Sequence, residues 1–168
     1  MSETISYTVW DSPVGMLTLA ASEKGLVALE FGDRTSGRQG WVKAPEKLIG
    51  YRRELEEYFA GARREFTLPL DLRGTDFQLR CWRALLEIPY GATRSYAEIA
   101  RAVGKPNAFR AVGMANHDNP IAIIVPCHRV ITSAGTLGGY GGGLPLKARL
   151  LELEKAGAVA QQAMFKSA

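Results

Sequence analysis

The apolar positions of this chain follow two rhythms. Near the start, β-forming residues come in short runs at 7–10, 16–21 and 26–31. Turn residues separate them, Asp11-Ser12-Pro13-Val14-Gly15 and Ser22-Glu23-Lys24-Gly25. That spacing predicts a three-strand antiparallel meander. Residues 32–44 are polar and contain glycine, and read as a mobile loop. From 46 to 60 the period changes. Leu48, Tyr51, Leu55, Tyr58 and Phe59 recur at helical spacing, with Gly61 as a natural stop. Residues 66–70 alternate like an edge strand, where Pro69 is tolerated, and 71–74 read as a linker.

Beyond residue 74 the helical period dominates. Thr75 with Gln78, and Ser95 with Glu98, each carry the capping-box signature. They open a helix over 75–87 that buries Phe77, Trp82, Leu85 and Leu86, and one that buries Ile99 and Val103. Gly104-Lys105-Pro106 breaks the second, and Asn107 reads as the cap of a third helix over 108–116. Two short helices joined by a three-residue turn containing Gly make a helix-turn-helix. A last helix starts with Pro145 at its first position, carries Leu146, Leu150, Leu151 and Leu153, and stops before Gly157. Glu154 then falls near a helix C-terminus, where the dipole disfavours a carboxylate, which marks it for specific pairing. The expected fold class is α/β in two domains. Residues 1–73 form a small antiparallel sheet with a helix, and 74–168 form a mostly helical domain with the helix-turn-helix.

Between the third and last helices lies an apolar run, 121–125, that reads as a short buried strand or core segment. Pro126 ends it, having no N–H to give a ladder, and Cys127, His128 and Arg129 follow at the turn. A thiol beside cationic and imidazole groups can become a nucleophilic thiolate, while a buried cysteine is otherwise a small hydrophobe. Residues 132–143 are dense in glycine around Tyr140, but lack the Gly-Lys-Ser/Thr ending of a phosphate loop.

Charge sharpens this picture. Residues 1–73 hold ten Lys and Arg against eleven Asp and Glu, whereas 74–150 hold nine against four. The positive excess therefore lies with the thiol and the helix-turn-helix, which suits a polyanion such as DNA. The third helix is rich in small residues, Ala108, Ala111, Gly113 and Ala115, with Arg110 its one basic residue. Few side chains there can read base edges, so shape-based docking in the minor groove is expected. No apolar run has the length of a membrane span, and residues 1–4 show no secretory pattern, so a cytoplasmic protein is expected. Two cysteines, Cys81 and Cys127, cannot supply a four-thiolate metal site, His117 and His128 are the only histidines, and Cys81 beside Trp82 reads as core. The residues alone leave open a nucleophilic thiol enzyme such as a hydrolase and a non-catalytic helix-turn-helix regulator.

Taken together, Pro126-Cys127-His128-Arg129-Val130, Asn119-Pro120, Arg110-Ala111-Val112-Gly113 and the Tyr140 glycine loop resemble the O6-alkylguanine-DNA alkyltransferases. These are the methylated-DNA–protein-cysteine methyltransferases. The resemblance implies a DNA repair protein, a monomer with no cofactor, that takes the alkyl group of a flipped-out O6-alkylguanine onto Cys127 once and irreversibly. O4-alkylthymine is left open as a second substrate. By the same resemblance His128 acts as base through a water, Glu154 holds the imidazole and Asn119 braces the turn. Arg110 fills the gap in the duplex, and Tyr96 presses on the 3′ phosphate. Tyr140 donates to the departing guanine, and the backbone of Val125 and Val130 reads the base. Ala108, Ala111 and Gly113 line the groove contact. Gly141 stands where some members carry a hydroxyl, and Phe109 where a small residue is common. The N-terminal Cys and His residues that bind zinc in some members are missing here, so no metal is expected.

Overall fold

The computed structural model describes residues 3–166, with side chains as far as Val159. The chain divides into two compact units. One runs to Gly74 and takes in Pro120–Ile124; the other holds Thr75–Asn119 and the chain from Val125 on. A single cut at 73/74 does not anticipate the return at 120–124. An apolar run bounded by proline looks the same in sequence whichever core it joins.

In the first unit, β1 (Ile5–Ser12), β2 (Gly15–Ala21) and β3 (Leu26–Phe31) form the expected meander. A fourth strand, β4 (Trp41–Lys43), adds in parallel to β1, giving the order β3-β2-β1-β4. The sheet is therefore mixed, and the end of the polar 32–44 stretch is a strand. Three residues are too few to show alternation, but Trp41 packs on the cluster of Ile5, Ala20 and Ala28. β2 is central, so its inner residues are buried on both faces, from Leu17 to Ala21. A short 3-10 turn, Pro45–Lys47, leads into α1 (Ile49–Phe59), which buries Tyr51, Leu55 and Tyr58.

The edge strand expected at 66–70 is only a single bridge, Leu26 with Leu70. The reason is local. Pro69 has no N–H, and the N–H groups of Thr67 and Leu68 donate to the Glu54 carboxylate (3.0 and 3.4 Å) rather than to a strand. The return at 120–124 also makes one bridge, Leu29 with Ile121. It then turns sharply: Ile124 N–H donates to Ala122 O at 2.7 Å across Ile123, whose φ is +70°. A positive-φ γ-turn on a β-branched residue is strained, and Ile123 holds it while fully buried. So the apolar run is core, but a turn rather than a strand.

In the second unit, α2 (Asp76–Leu86) and α3 (Tyr96–Ala102) begin with both capping boxes fully formed. Trp82 and Leu85 are buried, whereas Phe77 is half-buried and Leu86 exposed. Trp82 Nε1 donates to Ala115 O at 2.8 Å, pinning α2 to α4 (Phe109–His117). α4 starts one residue later than expected, with Ala108 rather than Asn107 at the cap position. Ala108 N–H closes a turn onto Lys105 O and carries the chain past Asn107. β5 (Arg94–Ser95) pairs in parallel with β6 (Val130–Ile131), a two-residue ladder too short to be read from sequence.

The last helix, α5 (Leu144–Lys166), runs through Gly157 instead of stopping there. A Cβ at Gly157 would lie 2.5 Å from the Tyr90 hydroxyl and 3.1 Å from its ring. Gly157 is a packing glycine, there to admit a tyrosine against the helix. Glu154 consequently sits inside the helix, away from any C-terminal dipole. Among the described residues no helix is long and apolar enough to cross a membrane.

Candidate active site

The thiol is placed by a backbone device that starts at Pro126. Its φ of −84° and ψ of 65° define an inverse γ-turn, closed by Cys127 N–H donating to Val125 O at 2.8 Å. A 3-10 turn, Cys127–Arg129, follows, and Val130 N–H donates back to Cys127 O. The β5–β6 ladder then fixes Val130 and Ile131 beside the cap of α3. Asn119 reaches across the return: its Nδ2 donates to Val125 O at 2.8 Å and to Cys127 Sγ at 3.3 Å. One side chain thus holds the turn and gives the sulfur a donor.

Behind the thiol lies a buried charged network. His128 is fully buried, and its Nε2 is 2.6 Å from Glu154 Oε2. Arg129 donates to Glu154 through Nε (2.7 Å) and Nη2 (3.1 Å), and to Ile88 O through Nη1 (2.7 Å). Burial pushes the Glu154 pKa up, but hydrogen bonds from His128 and Arg129 outweigh it and hold the carboxyl down at about 2. An ionised carboxylate only accepts, so Nε2 carries the imidazole proton and Nδ1 keeps the lone pair. Nδ1 has no hydrogen-bond partner among the described residues. Burial, opposed by Glu154, lowers the His128 pKa and keeps the ring neutral. Burial likewise pushes the Cys127 thiol up, against the Asn119 hydrogen bond and the Lys147 charge, so the resting group is a thiol.

Lys147 is the least expected member. It is completely buried, and its Nζ donates to Val130 O (2.6 Å), Gly139 O (3.1 Å) and Leu137 O. All three ammonium protons are therefore satisfied by carbonyls, which is what a buried lysine requires. The same contacts tie the glycine loop to the segment after the thiol.

A cavity of about 410 Å³ opens onto Cys127, lined by Tyr96, Gly113, Asn116, His117, Gly139, Tyr140 and Gly141. Tyr96 is the first residue of α3, and Gly138, at φ +72°, lies against its hydroxyl; a Cβ there would come within 3.0 Å. Burial raises the pKa of both Tyr96 and Tyr140, so both hydroxyls keep their protons as donors. Arg110 and Ala111 are exposed on α4, with Ala108 and Gly113 half-buried; Phe109 and Met114 are exposed beside them. Val125 and Val130 are fully buried. Their carbonyls already accept from Asn119 and Lys147, and Val130 N–H is engaged by Cys127 O.

Sequence reasoning marked Cys127, His128, Glu154, Asn119, Tyr96 and Tyr140, and the structure brings all six around one sulfur or its buried network. The sequence places Arg129 beside the thiol as a cation but not as the partner of Glu154, and gives Lys147 and Asn116 no role. A signal for Lys147 existed: Lys147, Leu150 and Glu154 repeat at helical spacing, and all three are buried. Two opposite charges on an apolar helical stripe point to a buried polar network. Among the described residues no group of three or more His, Cys, Asp and Glu could hold a metal ion.

Residues 76–156 match the family described as 6-O-methylguanine DNA methyltransferase, DNA binding domain, and residues 5–72 match its ribonuclease-like domain. The methylated-DNA–protein-cysteine methyltransferase of Mycolicibacterium paratuberculosis is 52% identical over 163 residues, covering 96% of this chain and 99% of the relative. That of Mycobacterium tuberculosis is 54% identical with the same coverage. The M. tuberculosis O6-methylguanine methyltransferase crystal structure superposes with a TM-score of 0.87 at 53% identity, covering 96% of this chain and 99% of that one. The M. tuberculosis OGT in complex with DNA gives 0.86 at 56% identity, covering 90% and 94%. With both domains matched and identity above half across nearly the whole length, this chain belongs to the methylated-DNA–protein-cysteine methyltransferase family.

Proposed function

We propose that this protein repairs O6-methylguanine in DNA by taking the methyl group onto Cys127. The observation that carries the reading is the sulfur itself. It faces a cavity sized for a nucleobase, with an amide donor 3.3 Å away and a neutral, carboxylate-anchored imidazole as its neighbour in sequence.

The buried thiol must first lose its proton. His128, with Glu154 fixing its proton on Nε2, takes it at Nδ1 through an intervening water; Asn119 and the Lys147 charge stabilise the sulfur anion. Arg129 keeps Glu154 ionised throughout. The sulfur attacks the methyl carbon, a C–S bond forms and the C–O6 bond breaks with its electron pair going to oxygen. The purine gains a proton to balance the one lost by the thiol and leaves as guanine. Tyr140, held protonated, donates to the departing guanine as charge builds on it, and Tyr96 presses on the phosphate 3′ to the target. A thioether cannot be turned back to a thiol by these residues, so each molecule acts once.

A thiol at the base of a cavity is out of reach of a stacked base, so the damaged nucleotide leaves the duplex. The small residues of α4, exposed Ala111 and half-buried Gly113 with Ala108 at its cap, suit close approach to the minor groove, and exposed Arg110 fills the vacated stack. The positive charge of 74–150 supplies sequence-independent attraction to phosphates. The protein works as a monomer in the cytoplasm.

Incubation with duplex DNA carrying O6-methylguanine tests this by intact mass. Wild type gains one methyl, located on Cys127 by peptide mapping, and Cys127→Ala gains none. Unmodified Cys127 after exposure to lesion DNA, or turnover of an ester or peptide instead, overturns it.

A further inference from the structure

One edge of α4 runs past the cavity. Phe109, Gly113 and His117 are spaced by four, so they share a line along the helix. Gly113 and His117 line the cavity that opens onto Cys127. Phe109 continues the line one turn beyond it, about 6 Å along the axis, and helical side chains lean towards the N-terminus. Its ring therefore stands past the rim of the cavity, with 50% of its surface exposed. A flipped base inside the cavity is out of its reach. The duplex that the base has left is not.

Exposure alone assigns nothing, because single apolar residues are ordinary on a protein surface. The neighbours of Phe109 decide its partner. Arg110, next in the chain, is exposed, and so is Lys105, joined to the start of α4 by the Ala108 N–H bond to Lys105 O at 2.9 Å. The first turn of α4 carries no acidic residue. An open aromatic ring flanked by two cations suits a polyanion that also has flat apolar faces, which is what stacked bases between phosphates provide. Between the ring and the cavity, Gly113 carries no side chain, and a Cβ built there would meet nothing within 4 Å. That gap leaves a path for a nucleotide from the stack into the cavity.

We propose that Phe109 is a second wedge in the minor groove: its ring packs against the base pair beside the vacated position, while Arg110 fills the position itself. Flipping strips a stacking face from each neighbour of the lesion, and an aromatic ring restores apolar contact to one of them. Phe109 touches no reacting atom. It lowers the cost of opening the duplex and so positions the lesion for Cys127. This rests on the base-flipping repair proposed above.

The test compares two substrates, O6-methylguanine opposite cytosine in a duplex and O6-methylguanine as the free base. Single-turnover methyl transfer is measured for wild type, Phe109→Ala and Phe109→Leu, with protein in saturating excess over the duplex. The readout is the ratio of duplex to free-base rate, from which any unfolded fraction cancels. In Phe109→Ala that ratio falls about tenfold, within the range of one lost base–aromatic stack. Phe109→Leu keeps an apolar wedge, and its ratio stays within about threefold of wild type. A ratio unchanged in Phe109→Ala overturns the assignment, as does a leucine variant that falls as far as the alanine one. A deficit of Phe109→Ala that vanishes once protein saturates the duplex is one of affinity alone, and overturns it too. A wild type that takes methyl from neither substrate is a different result, and removes the transfer reaction instead.

Discussion

Each unit buries one glutamate, and the two are used in opposite ways. Glu54, in the sheet unit, accepts from Thr67 N–H (3.0 Å), Thr67 Oγ1 (2.6 Å) and Leu68 N–H (3.4 Å), and pairs with Arg63 at 3.0 Å. Those partners are the loop it holds in place, and Arg63 leads on only to Glu57 (3.3 Å) and Glu65 O (2.9 Å), away from any reactive group. Glu154, in the helical unit, is held as tightly, by Arg129 and by His128. But His128 passes the arrangement on: its other nitrogen is buried, with no partner among the described residues, one residue from the thiol. A buried carboxylate whose partners close on themselves fixes structure. One whose partner keeps an open valence, one residue from a thiol, is the base of the proposed mechanism.

The widest separation between the two sites comes from replacing each carboxylate with its amide. Glu154→Gln removes the obligate acceptor that fixes the imidazole proton on Nε2, so the alkyl-transfer rate constant falls by about 10²-fold or more, in the range of general-base catalysis. Arg129 is left buried without a counter-charge, so the variant also melts lower. Glu54→Gln keeps one oxygen for Thr67 and loses the charge that Arg63 faces. It lowers stability by roughly 1–3 kcal/mol in urea unfolding while the transfer rate of the folded fraction holds. Equal rate losses in the two variants would erase the distinction.

The sheet unit was the more legible of the two in outline, and the helical unit in detail. Runs of β-formers separated by turn residues gave the meander because alternation over six residues is a strong signal. Residues 41–43 and 66–70 misled for the same reason in reverse: a three-residue strand has no period, and the backbone N–H groups of 67 and 68 go to a side chain thirteen and fourteen residues away. Both capping boxes were readable because the signature and the bonds it predicts are local. Glu154 was marked for pairing on a mistaken ground, a helix end that lies well beyond it. The residues around Cys127 could be named from their motif, but which nitrogen of His128 stays open, and what Asn116 and Lys147 face, depend on tertiary contacts that no spacing encodes.

Lys147 gives a smaller effect that sharpens the same contrast. Its ammonium touches only carbonyls, yet its charge favours the Cys127 anion and its bonds hold the loop that carries Tyr140. Lys147→Met keeps the stem and drops the charge. Three carbonyls lose their donor, and transfer slows about tenfold, with protection of 137–139 amides in hydrogen exchange falling in parallel. A rate loss with unchanged protection would assign the effect to charge alone.

The smallest effect concerns pH, and its sign follows from the two buried groups. Burial lowers the His128 pKa below its usual 6.5, so the ring remains an unprotonated base as pH falls through that value. The transfer rate should change less than about twofold between pH 7.5 and 6.5, and decline only further into acid, where an exposed histidine base would already have lost activity. Stability behaves differently. Glu154 moves from an ordinary 4.5 to about 2 in the folded chain. A carboxylate with a depressed folded pKa stabilises the fold above its unfolded pKa, and that contribution, on the order of 3 kcal/mol, is lost as pH falls from about 4.5 towards 2. Glu54 is lowered too, burial being outweighed by its Thr67 and Leu68 bonds and Arg63, so it acts in the same direction. The rate should therefore hold through pH 6.5, while the carboxylate contribution to stability is lost only below about 4.5. If both fell together near pH 6.5, unfolding rather than protonation of His128 would set the acid limit, and the imidazole would not be the neutral base that its burial dictates.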